Sequence, residues 1–62
     1  MFVDLTDDEQ KIIEVLSDNE IHIDTLVEVL SWGFSKVASV LLKAEFKGVI
    51  ISLPGKMYKK FR

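Results

Sequence analysis

The 62-residue chain has no cysteine, one proline, three glycines, one histidine and one tryptophan. Without cysteine there is no disulfide framework, no thiolate metal site and no cysteine nucleophile, and a reducing compartment is permitted. The single histidine, His22, has no second His or Cys at ligand spacing, so neither a metal set nor a Ser-His-acid constellation can be assembled around it. No glycine-rich phosphate loop and no H-E-x-x-H motif is present. No apolar run approaches the ~20 residues that span a bilayer, and no basic-then-apolar leader opens the chain. A core this small also leaves little room for a substrate pocket. These absences predict a cytoplasmic, non-enzymatic module with no cofactor, no metal, no membrane partner and no small-molecule substrate.

What is present is an apolar fraction of 48% and an uneven charge distribution. A chain of this length is one domain burying only about 60% of its unfolded surface, so apolar packing must supply its stability. The net charge of −2 averages two unlike halves. Residues 1–31 carry nine acids and one base, Lys11, for −8. Residues 32–62 carry seven bases and one acid, Glu45, for +6. Such a division either aims one face at a polyanion or pairs the two halves with each other.

The first helix opens at Leu5-Thr6-Asp7-Asp8-Glu9, with Thr6 as cap, Glu9 completing a capping box, and Asp7 and Asp8 at the positive end of the dipole. Ile12, Ile13 and Leu16 share one face, which Val15 widens. Ser17-Asp18-Asn19-Glu20 is a polar loop. Ile21-His22-Ile23 suits only a short strand, and Asp24 is predicted to cap a second helix in which Ile23, Leu26, Val27 and Leu30 recur at helical spacing. Val29 and Leu30 make its end unusually apolar, a possible partner patch. After the Ser31-Trp32-Gly33 turn, Ser35 is predicted to cap a third helix running to about Lys47, where Gly48 takes the position that favours positive φ. Val49 to Leu53 reads as a strand, Pro54-Gly55 as the centre of a type II turn, and Met57 to Phe61 as the returning strand. The expected fold is mainly α with a small β-hairpin: a winged helix-turn-helix of three helices plus wing.

In the third helix Val37, Leu41 and Ala44 are assigned to the core. Lys36, Ser39, Lys43 and Lys47 fall within an arc of about 80°, taken to be the far side. That stripe either contacts phosphates or is simply the helix's solvated face. Arg, Asn and Gln are missing from it, which argues against reading base edges. Lys56 at the wing tip, with Lys59, Lys60 and Arg62 beyond, forms a second basic group. It either touches a nucleic-acid backbone or guards a solvent-exposed edge strand. His22 is expected to bond backbone at the start of the second helix, Trp32 to pack in the core, and Tyr58 to be half-buried.

His22-Ile23-Asp24, Leu41-Leu42-Lys43-Ala44-Glu45-Phe46-Lys47-Gly48 and Leu53-Pro54-Gly55-Lys56-Met57-Tyr58 together carry a resemblance. From Leu5 to about Phe61 the chain resembles the C-terminal winged-helix domain of the bacterial DNA-processing family DprA/Smf. That family's pattern runs H-I-D-x-L, V-x-x-x-L-L-x-L-E-x-K-G and L-P-G-x-x-Y. Ser31 and Gly33 stand where the family has glycine and often proline in the turn, Trp32 where it has leucine, and Lys56 where it has a second glycine. The resemblance implies a tail domain excised from a longer protein, with Met1 an added start. It also implies a role in natural transformation, in which a Rossmann-like domain binds single-stranded DNA and RecA is loaded. Two roles follow. One is weak, non-sequence-specific DNA contact through Lys36, Ser39, Lys43, Lys47, Lys56, Lys59 and Lys60. The other is a protein-interaction module contacting its own Rossmann domain, another protomer or RecA. A stand-alone transcription regulator is disfavoured by the missing base readers and dimerisation helix.

Overall fold

Thr6 is in extended conformation, and its hydroxyl accepts the Glu9 amide at 3.2 Å while the Glu9 carboxylate accepts the Thr6 amide at 2.9 Å. This reciprocal box starts α1 (Asp7–Leu16) in the computed structural model, which describes residues 4–61. Arg62, counted with the wing lysines above, lies outside the described residues. After α1 come β1 (Ile21–His22), α2 (Ile23–Leu30), α3 (Phe34–Phe46), β2 (Ile50–Leu53) and β3 (Met57–Lys60).

Two caps differ from those the sequence predicts. The α2 cap is His22, whose Nδ1 accepts the Asp24 amide at 3.0 Å; Asp24 is already inside the helix. The cause is the sheet. The Ile23 amide donates to the Lys56 carbonyl at 3.1 Å, so the strand ends at His22 and the helix begins at the next residue. Likewise α3 is capped by Gly33 with no side-chain bond, and Ser35 sits one residue past the first helical position. The left-handed turn at Ser31 (φ 57°, ψ 30°) ends α2 and lets Gly33 extend, so the helix starts at Phe34. Past α3, Gly48 takes a φ of 78° as expected.

The sheet is antiparallel with the order β1-β3-β2, so the last strand is the middle one. Ile51 pairs with Lys59, Ser52 with Tyr58 and Leu53 with Met57, leaving Pro54, Gly55 and Lys56 as the turn. Gly55 has the positive φ (81°) that the turn requires; Lys56 has one too, at 60°. Lys59 and Lys60 pair with β2 on one side but lie beyond the two residues of β3 that pair with β1, so on that side they flank an open stretch of the middle strand. The edge strand beside them is β2, which carries no charge.

The core gathers Ile12 and Leu16 of α1, Ile23 and Leu26 of α2, Val37, Val40, Leu41 and Ala44 of α3, and Ile50 of β2. Each fully buried Leu, Ile or Val contributes about 1.5–3 kcal/mol. Ile21, Trp32 and Tyr58 pack against this core half-buried.

Candidate functional site

The basic residues proposed as a nucleic-acid surface do not share one environment. Lys47 reaches across to the first turn of α1, where its ammonium donates to Glu9 Oε1 and to the Asp4 carbonyl, each at 2.7 Å. Glu9 is 1% exposed. Burial pushes its carboxyl up, but the hydrogen bond and charge of Lys47 and the contacts with Thr6 outweigh it and hold it below the ordinary carboxylate value. Its Oε2 has no partner among the described residues. Removing the Lys47 ammonium would strand a buried charge, so Lys47 is committed to the fold.

Lys36 lies 3.7 Å from the Asp8 carboxylate, with its ammonium 4.4 Å from the centre of the Trp32 ring. Lys60, on the sheet face turned to the helices, lies 3.7 Å from Asp18. Three basic residues of the second half thus meet acids of the first, and the charge division is in part an internal pairing. Lys43, Lys56 and Lys59 have no acidic partner within 4 Å among the described residues, and Ser39 is exposed between Lys36 and Lys43. Lys59 stands on the sheet's outer face with Ile51 and Met57, whereas Lys56 is at the turn.

The helical wheel of α3 explains this dispersal. Buried Val40 joins Val37, Leu41 and Ala44, and the buried arc then spans about 100°. Opposite its centre, within about 60°, lie Ser35, Ser39, Leu42 and Phe46. Lys36, Lys43 and Lys47 occupy the flank between, the side on which Lys36 and Lys47 meet α1. The outermost line of α3 is thus half apolar, with Phe46 84% and Leu42 54% exposed. With Val37, Leu41 and Ala44 alone as core, Phe46 already stands opposite; adding Val40 turns the wheel by about 20° and brings Leu42 beside it. Val29, at the apolar end of α2, is also exposed.

An apolar recess of about 230 Å³ lies between α1 and the sheet, lined by Ile13, Gly48, Val49, Lys60 and Phe61. Lys60 is the one titratable side chain among the described residues of its lining, and no acid or base partner accompanies it there. Among the described residues no three His, Asp or Glu side chains converge to hold a metal ion. No single helix among them is long and apolar enough to cross a membrane.

Comparison with curated proteins and with solved structures returned no match. A family model described as the DprA winged helix domain matches residues 3–56, from ahead of α1 to the wing tip. The three helices, the three-stranded sheet in the order β1-β3-β2 and the turn at Pro54-Gly55 agree with that match. The chain belongs to the DprA winged-helix domain family.

Proposed function

We propose that this domain is a protein-docking module of a DprA-type DNA-processing protein acting in natural transformation, at the C-terminal end of a longer chain. The observation that carries the reading is the outward line of α3, where Leu42 and Phe46 stand exposed in place of base-reading side chains. Apolar side chains presented this way bind by being covered, and a phosphate backbone cannot cover them. The internal pairing of Lys36, Lys47 and Lys60 points the same way, because it removes cations from the set available to phosphates. The partner fitting this face is protein: the Rossmann-like domain that DprA proteins carry, a second protomer or RecA.

The competing reading, weak DNA contact without sequence preference, now rests on Lys43, Lys56 and Lys59 with Ser39. Titration of labelled duplex and single-stranded DNA at two salt concentrations separates the readings. Docking predicts no saturable DNA binding at low salt. It also predicts at least tenfold weaker association with the Rossmann-like domain, a DprA protomer or RecA when Leu42 and Phe46 are both replaced by serine. Saturable duplex binding with a log-log salt slope of about −2 to −3, lost in the Lys43/Lys56/Lys59 triple alanine variant, would overturn it.

A further inference from the structure

The open side of β2 is a strand edge left unpaired among the described residues. The Phe61 amide donates to the Val49 carbonyl at 2.9 Å, which makes Val49 and Phe61 a hydrogen-bonded pair. By alternation Ile51 and Lys59, and Leu53 and Met57, are hydrogen-bonded pairs as well. The amides and carbonyls of Ile50 and Ser52 therefore point away from β3, and no other backbone group among the described residues bonds to them. Edge strands are usually blunted by lysine, proline or a bulge. Ile50-Ile51-Ser52-Leu53 has none of these.

A wall rises beside this edge. The Ser52 hydroxyl donates to Glu45 Oε2 at 3.0 Å, which places that flank of α3 over β2. Leu42, one turn before Glu45, and Phe46, next to it in sequence, continue the flank outward. On the opposite face of the sheet Ile51, Leu53 and Met57 form a half-buried apolar strip that is not packed against the core.

We infer that a second copy of this chain docks here, its β2 adding antiparallel to β2 about a two-fold axis through Ile51; the inference rests on reading the α3 flank as a docking surface. The register is fixed by the free groups. Only with Ile51 opposite its counterpart does Ile50 of each copy face Ser52 of the other, so that all the open amides and carbonyls are used. The two sheets then continue as one, and their Ile51-Leu53-Met57 strips become contiguous. Both α3 helices lie on the same face, where Leu42 and Phe46 of one copy meet those of the other. Glu45 is the one charge on this flank, and its two copies approach each other across the axis. Their repulsion keeps the association weak and makes it tighten with added salt.

The absence of cysteine provides a direct test. In the proposed register the Cα atoms of the two Ile51 residues are about 4.5 Å apart, within disulfide reach. Those of Leu53 are offset by four residues, roughly 13 Å. Ile51→Cys and Leu53→Cys are each equilibrated in a glutathione redox buffer and resolved without reductant. The expected result is at least tenfold more linked dimer for Ile51→Cys. Ser52→Pro removes an outward amide while leaving the β2–β3 ladder intact, so adding it to Ile51→Cys should return linkage to the Leu53→Cys level. Circular dichroism melting establishes that each variant is folded. Sedimentation equilibrium of the unaltered chain at millimolar concentration should give a mass rising from 7.1 kDa toward twice that value, more so at high salt. Equal linkage at positions 51 and 53, linkage that persists with Ser52→Pro, or a monomer at millimolar concentration each overturns the inference. If the Leu42/Phe46 serine variant nevertheless loses its affinity for the Rossmann-like domain or RecA, the docking reading survives without the dimer.

Discussion

Glu9 is an acid with 1% of its surface exposed, and burial alone would favour its neutral form. Lys47 and Thr6 reverse that preference and hold the carboxyl below its ordinary value. The unfolded chain titrates at the ordinary value, so the folded state binds this proton less readily. The stabilisation is therefore complete above the ordinary carboxylate range and is lost as pH falls through the lower folded value. Lys47→Met leaves burial unopposed and should destabilise the domain by about 2 kcal/mol at pH 7, with the deficit shrinking toward acid pH. Pairing it with Glu9→Gln should restore part of the loss. Thermal melts of the parent, single and double variants between about pH 3 and 7 check both statements.

At the joints between elements, Ser17, Ser31 and Lys56 hold positive φ values of 49°, 57° and 60° that glycine adopts more easily. Ser31→Gly and Lys56→Gly are each expected to stabilise the domain by about 0.5–1 kcal/mol, raising the melting temperature by about 2–8 °C. Scanning calorimetry of the two variants measures it. These joints also show where the sequence is legible. Gly48 and Gly55 announce their turns because glycine is the residue such turns favour, whereas Ser17, Ser31 and Lys56 give no such sign. The Thr6-Glu9 box is legible because both partners lie within one turn. The caps at His22 and Gly33 are not, since His22 caps only where pairing with β3 ends the strand. The lysine stripe on α3 is half legible for the same reason. Its spacing is local, but the acids that engage Lys36 and Lys47 arrive from α1 through tertiary packing.

Across the whole molecule, the opposite charges of the two halves are drawn together at Lys36–Asp8, Lys47–Glu9 and Lys60–Asp18. The first and third pairs are long and solvent-exposed, and such pairs contribute roughly 0–1 kcal/mol. Lys36→Met and Lys60→Met should each change stability by less than about 1 kcal/mol, in contrast to Lys47→Met. Urea titrations of the three variants distinguish a structural ion pair from two that mainly occupy lysines a polyanion would otherwise meet.

The strand order has a consequence for how the chain acquires its structure. β3 is the last of the three strands in sequence and the one to which both others bond. Until residues 57–60 leave the ribosome, β1 and β2 have no partner, and the helices must hold together without the sheet. Closure joins Ile21 to Tyr58 across most of the chain, a non-local pairing whose loop-closure entropy slows folding. A chain truncated before Met57 has an unfinished sheet, with β1 and β2 unpaired and open to proteases and chaperones.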